Sequence, residues 1–307
     1  MILVKSVNIS VRKGTIKESV PGILLNSRGV QDDAHAGSWH RQVSLLGTES
    51  IEKFSAETKR DIRYGEFAEN ITTQGELLYK MNPLDILANK EIILEITQIG
   101  KKCHGDNCAI FREVGNCVMP KEGIFARVIN GGSMKAGDTL EYHPKIFSIA
   151  VITLSDRASK GEYVDLSGEI IENRIKSHFE SKNRSQKIQR ILLPDEKLQI
   201  EMQFRELIAD NIDLILTTGG TGIGPRDIVP EVINPLLDKE LPGIMDMIRY
   251  KYGQNNPAAL LSRSVAGVKG KTLVFTLPGS PRAVEEYMQE ILSLLDHAIL
   301  MLHGLGH

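Results

Sequence analysis

From Lys145 to the end of the chain, continuous apolar runs alternate with stretches of helical periodicity, and this alternation leaves the second half few folds to choose from. Ile146 to Ile152 reads as a strand, after which Ile171, Ile175 and Phe179 recur at the spacing of one helix face. A second strand is expected near Lys187–Leu193, before a helix whose apolar face is Ile200, Phe204, Leu207 and Ile208. The third strand, Ile212–Leu216, runs into a glycine-rich turn, with a helix after Pro230. The fourth, Leu273–Leu277, leads through Pro278, Gly279, Ser280 and Pro281 into a long helix carrying Val284, Tyr287, Met288, Ile291 and Leu295. Strands that lack polar alternation and take turns with helices predict a mainly parallel sheet covered on both faces.

The first 142 residues follow another pattern. Short β-prone runs, Gln42–Leu46, Ile92–Ile99 and Ile124–Ile129, are separated by turn clusters such as Asn130-Gly131-Gly132, and one helix is expected at Thr48–Thr58. That arrangement predicts a mostly-β barrel or sandwich. The change falls at Glu141 to Pro144, so two domains are expected, 1–142 and 146–307.

With a formal charge of −2 and no block of basic residues, the chain is not expected to bind nucleic acid by neutralising its phosphates. Lys5 interrupts the apolar start too early for a secretory signal, and no run approaches a membrane span; a cytoplasmic protein is the expectation. The three cysteines, Cys103, Cys108 and Cys117, lie close together, which suits local chemistry better than a disulfide framework.

In an open parallel sheet, ligands bind beyond the carboxyl ends of the strands. The residues there are Ser155-Asp156-Arg157, Pro194-Asp195-Glu196, the stretch from Thr217 to Asp227, and Pro278 to Pro281. Main-chain N–H groups from the glycine turns, with hydroxyls from Thr218, Thr221 and Ser280, can take phosphate oxygens, while Asp195 and Asp227 can hold Mg2+ against them. A Walker loop requires Lys-Ser/Thr after its last glycine, but Pro225-Arg226-Asp227 follows Gly224. A dinucleotide fingerprint requires a third glycine inside a helix, which is absent. Helix capping by Asp195 and by Ser167, and turn termination by Asp156 and Asp165, are the structural roles these residues would otherwise fill.

The segments SDRASKGEYVDLSG, LLPDE, LTTGGTGIGPRDIVPE and LPGSPRAV, in this order, resemble the molybdopterin adenylyltransferase family within the wider Mog/MoaB-like group. The resemblance runs over 146–307 and implies a three-layer α/β/α domain, commonly a homotrimer, that transfers AMP from Mg-ATP to molybdopterin and releases pyrophosphate. It places the essential catalytic acidic pair on Asp195 and Asp227, as Mg2+ ligands or orienting groups. The phosphate and pterin cradle falls on Thr218, Gly219, Gly220, Thr221 and Gly222 together with Gly279, Ser280 and Pro281. Ser155, Asp156, Asp165, Ser167 and Gly168 lie nearby. Molybdenum insertases share the scaffold; a pterin-binding carrier without catalysis is the rival function.

GVQDDAHAGSWHRQVSLL, GEFAENITT, ITQIGKKC and KAGDTLEY resemble the MOSC domain found at the C-terminus of molybdenum-cofactor sulfurases, across residues 1–142. Asp32 and Ala68 stand where that family commonly has glycine. The resemblance places on Cys103 the cysteine thought to carry sulfur or approach molybdenum. Lys101, Lys102 and His104 beside it would lower its pKa. His35 and Arg41 are candidate pocket residues, since Arg can grip a pterin phosphate in bidentate fashion. Cys117 also reads as a small hydrophobe. The combination implies a protein of molybdenum-cofactor assembly, with molybdopterin and ATP as ligands and a sulfur donor and a molybdenum insertase as expected partners.

Overall fold

The computed structural model describes residues 1–102, 117–162 and 164–306. The chain forms two compact units, Met1–Lys145 and Ile146–His307.

In the first unit, strands β1 (Ile2–Ile9), β5 (Val43–Gly47), β6 (Ile71–Gln74), β7 (Ile86–Ala88), β8 (Ile93–Ile99), β9 (Ile124–Asn130) and β11 (Thr139–His143) form a closed barrel. The order β11-β7-β8-β9-β5-β6-β1 closes on itself because β1 also pairs with β11, Ile2 opposite Leu140. Closure removes the open edges through which a sheet would aggregate. A short strand β2 (Glu18–Val20) extends β1, while β3 (Ile23–Asn26), β4 (Gly29–Val30) and β10 (Gly132–Met134) form a small separate sheet. Alternate residues fill the barrel: Leu45, Ile124 and Ala126 belong to its core, together with Ile2, Val4 and Ile96. Leu46 and Phe125 project the other way, into a second cluster with Ile51 and Phe54 of helix α1 (Thr48–Thr58). The helix coincides with its expected span. The pair β5–β6 is parallel, which hairpin-like runs in the sequence do not announce.

The second unit carries a six-stranded sheet in the order β13-β12-β14-β17-β16-β15. Strands β12 (Ile146–Leu154), β13 (Ser185–Leu193), β14 (Leu214–Thr218) and β17 (Thr272–Leu277) are mutually parallel. Strands β15 (Lys239–Glu240) and β16 (Ala266–Lys269) extend the sheet antiparallel, an addition not visible in the apolar pattern. The helices are α2 (Asp156–Ser159), α3 (Leu166–Ser181), α4 (Lys197–Ala209), α5 (Val229–Ile233), α6 (Pro242–Gly253) and α7 (Pro281–Leu302). Ala150, Ile152 and Leu154 of β12 face a cluster built by Ile200, Phe204 and Leu207 of α4 with Val229 and Val232 of α5. Phe147, of opposite parity on the same strand, meets Phe179 of α3 edge to face at 5.0 Å.

Strand β14 begins two residues later than its apolar run suggests. Ile212 N–H donates to the Leu207 carbonyl and closes the end of α4, and Asp213 N–H donates to Ser148, so both residues belong to the turn. The parallel register aligns Leu154 with Leu193, Thr153 with Thr218, and Thr218 with Leu277. The four following loops therefore leave the sheet at one edge. No helix among the described residues is long and apolar enough to cross a membrane.

Candidate functional site

The centre of that edge is the turn after β14. Gly219 and Gly220 both have positive φ, 102° and 62°, where a side chain is strained. A Cβ on Gly219 would collide with the Leu154 carbonyl, so glycine lets the turn press against the end of β12. The peptide N–H groups of Gly220, Thr221, Gly222 and Ile223 donate to no acceptor among the described residues. Successive unpaired N–H groups in such a turn form a concave anion-binding nest.

Two carboxylates lie against the nest. A Cβ on Gly220 would sit 3.3 Å from Asp195 Oδ1, and one on Gly222 would sit 2.7 Å from Asp227 Oδ2. Asp227 Oδ2 also accepts the Gly224 N–H at 2.8 Å. Asp195 Oδ1 is buried with no hydrogen-bond partner among the described residues. Burial pushes the Asp195 carboxyl above the usual carboxylate range, the charges of Asp156 and Asp227 push the same way, and Arg226 and the Asp156 N–H oppose them.

Asp156 and Asp195 exchange backbone contacts: Asp156 N–H donates to Asp195 Oδ2 at 3.2 Å, and Asp195 N–H donates to Asp156 Oδ1 at 3.1 Å. Arg226 grips Asp156 through Nε and Nη2 at 2.7 to 3.0 Å, and this guanidinium holds the Asp156 carboxyl below its ordinary value. Neither Asp195 nor Ser167 caps a helix, contrary to the structural roles open to them in the sequence. Helix α4 starts after Glu196 with no side-chain cap, and α3 is capped by Asp165, which accepts the Gly168 N–H at 2.8 Å. Asp165 also accepts from Thr153 Oγ1 at 2.7 Å and from Arg190 at 2.6 Å. Ser167 instead donates to the Gly279 carbonyl at 2.8 Å, joining the start of α3 to the loop after β17.

Of the hydroxyls expected to face phosphate, Thr218 donates to the Pro278 carbonyl at 2.8 Å and Ser280 caps α7 by accepting the Ala283 N–H. Ser155 caps α2 in the same manner. Thr153, Asp165, Ser167, Thr218, Gly279 and Pro281 line a cleft of about 110 Å3 beside the glycine turn. The edge thus brings the predicted residues of all four loops together.

Arg263 belongs to the same edge and escapes a reading by motif. Its backbone N–H and Nε donate to the Thr221 and Gly222 carbonyls at 2.8 and 2.7 Å, Nη2 donates to the Asp227 carbonyl, and Nη1 pairs with Glu231. These partners lie 32 to 42 residues away in sequence, so no local spacing reveals them.

The first unit has a candidate site of its own, lined in part by Ala68, Met119 and Phe125 of the cluster that packs on α1. A cavity of about 250 Å3 is lined by His35, Trp39, Arg41, Asn70, Lys101 and Phe125 among others, with no acidic side chain among the described residues of its lining. The Arg41 guanidinium lies 4.7 Å from the Trp39 ring centroid, and its Nε is buried without a hydrogen-bond partner among the described residues. His35 Nδ1 stands 3.6 Å from Asp33 Oδ1. Asp33 is itself buried, yet donors from His35, Lys17 and the Ser10 N–H outweigh burial and hold its carboxyl well below the usual range. Two cations over aromatic walls suit a flat anionic ligand. Asp32 and Ala68 adopt positive φ, 63° and 62°, so the chain keeps a glycine-like backbone where glycine is missing. His35 and Arg41 are brought together; Cys103 lies outside the described residues, as do His104 and Cys108, and Cys117 is half-buried.

The family pattern described as a probable molybdopterin binding domain matches residues 150–297, and that of the MOSC domain matches 32–141. Molybdopterin adenylyltransferase of Pyrococcus furiosus is 37% identical over 164 residues, covering 50% of this chain and 93% of that protein. Gephyrin of Dictyostelium discoideum is 38% identical over 161 residues; the match takes in 51% of this chain but only 22% of that longer protein. Among solved structures, the tungsten cofactor synthesizing protein MoaB from Pyrococcus furiosus is 36% identical, covering 53% of this chain and 99% of that one, with a TM-score of 0.46.

Proposed function

Since this chain belongs to the molybdopterin adenylyltransferase family and joins a MOSC domain to a domain of the MoaB/Mog type, we propose that its second unit transfers AMP from Mg-ATP to the phosphate of molybdopterin, releasing pyrophosphate. The observation that carries this reading is the nest of four unpaired N–H groups with Asp195 and Asp227 on its flanks. Attack of one phosphate on the α-phosphorus of another polyanion is limited by repulsion and alignment. A fixed array of dipoles reduces both without reorganising during the reaction.

Carboxylate oxygens are the donors Mg2+ takes, and the unpartnered, buried Asp195 Oδ1 fits that use. Among the described residues no group of three or more His, Cys, Asp or Glu side chains is arranged to hold a metal ion. In this reading the cation arrives with the nucleotide, and its chemistry would be to neutralise phosphate charge. Asp195 and Asp227 orient it, the nest holds phosphate oxygens, and the cleft at Ser167 and Gly279 takes the second substrate. Trimeric assembly accompanies this activity in the same reading.

The barrel unit binds the pterin cofactor at the His35 and Arg41 cavity or passes sulfur through Cys103, with a sulfur donor and an insertase as partners. Incubation of the full chain with molybdopterin and labelled ATP should give adenylylated pterin and pyrophosphate. Asp227→Asn should lower that rate by about a hundredfold or more while pterin binding is retained. Equal rates in the variant and the parent would remove Asp227 from the reaction, and pterin binding without turnover in the parent would favour a carrier.

A further inference from the structure

The nest works only if its N–H groups face the ligand, and nothing within residues 220–223 enforces that direction. The side-chain contacts of Asp227 fix the far end of the loop at Gly224, and Val229 N–H ties back to the Gly220 carbonyl. Between those two ties, the carbonyls of Thr221 and Gly222 are held by Arg263 alone among the described residues. A trans peptide is planar, with its C=O and the following N–H pointing in opposite directions. Drawing the Thr221 and Gly222 carbonyls toward Arg263 therefore turns the N–H groups of Gly222 and Ile223 to the opposite face of the loop. The third contact, from Nη2 to the Asp227 carbonyl, fixes the backbone that carries one of the two carboxylates.

We propose that Arg263 is a positioning residue for nucleotide binding: its guanidinium fork and its own N–H set the orientation of the 221–227 loop, and Glu231 holds the fork in place. Arg is suited to this because its donors are fixed in one plane and stay charged, whereas Lys offers a single mobile point. Arg263 does not touch the reacting phosphates in this arrangement. Its role rests on the reading of the glycine turn as the site for the phosphates of ATP.

The test uses the full chain with Arg263→Ala and Arg263→Lys, reading inorganic pyrophosphate binding by calorimetry and adenylyl transfer as separate kcat and KM values for ATP. In Arg263→Ala, pyrophosphate affinity should fall about tenfold and kcat about a hundredfold, with the KM for molybdopterin unchanged and the thermal midpoint close to the parent's. Added methylguanidinium should restore part of both losses, which a variant damaged only in packing would not show. Arg263→Lys should recover less than half of the lost affinity. Pyrophosphate binding and kcat within twofold of the parent in Arg263→Ala would overturn the proposal. If Arg263→Ala does not fold, Glu231→Gln carries the test: a smaller loss in the same two quantities supports the assignment, and no change refutes it. A parent protein whose pyrophosphate binding depends on Arg263 yet which forms no adenylylated product would sink the transferase reading and leave the positioning role standing.

Discussion

Asp195 is placed at a cost to the fold. Its Oδ1 is buried without a partner, and burial first, then the neighbouring charges of Asp156 and Asp227, raises its carboxyl pKa. A carboxyl whose folded-state pKa lies above its unfolded value binds its proton more tightly in the native state. Stability from that group is then greatest at low pH and declines as pH rises above the ordinary carboxylate value of about 3.9. Asp195→Asn keeps an acceptor for the Asp156 N–H and removes the charge, so it should be more stable than the parent at pH 7 while losing transfer activity. Urea midpoints at neutral pH and near pH 4 check this, since the advantage should shrink toward the acid value. A variant less stable than the parent at both pH values would mean that Asp195 is already satisfied in the native protein.

At the scale of elements, the cap on α3 ties the cleft to the helix behind it. Asp165 accepts the Gly168 N–H, the Thr153 hydroxyl and an Arg190 N–H, and together these outweigh its burial and hold its carboxyl below the ordinary range. Asp165→Ala should cost about 1 to 2 kcal/mol, as loss of a helix cap does. The stabilisation should be present above the unfolded carboxylate pKa and disappear as pH falls through the depressed folded value, which thermal melts between neutral and acid pH would record. The elements themselves were largely legible: α1 coincides with its expected span, and the four parallel strands follow the four apolar runs. The candidate site was legible where its residues are local in sequence, in the glycine turn and the loops that end each strand. What escaped is long-range. Arg263 reaches its partners across 32 to 42 residues, and the antiparallel β15–β16 extension is set by pairing with β17 and not by any periodicity of its own. The cavity at Arg41 likewise joins residues from 35 to 125, whose shared chemistry appears only when the barrel closes.

For the molecule as a whole, the separate cores define what a stability measurement reports. The barrel closes around Ile2, Leu45 and Ile96, and the α/β unit packs Phe204 and Ile200 of α4 onto Ala150 and Ile152. The only tryptophan of the chain, Trp39, lies in the first unit, so its fluorescence follows unfolding of the barrel, while helical circular dichroism is dominated by the second. Lys17 and Asp33 form an ion pair whose side chains are 1% and 0% exposed. Removing one partner of such a pair leaves a buried charge uncompensated, at a cost of about 3 to 5 kcal/mol. Lys17→Met should therefore lower the fluorescence midpoint in urea and leave the circular-dichroism transition of the α/β unit in place. Phe204→Ala, which should cost about 3 to 5 kcal/mol through the cavity it opens, should do the reverse. Because the two variants load different cores, crossed shifts would show two cooperative units. Midpoints that move together in either variant would show that the barrel and the α/β unit unfold as one.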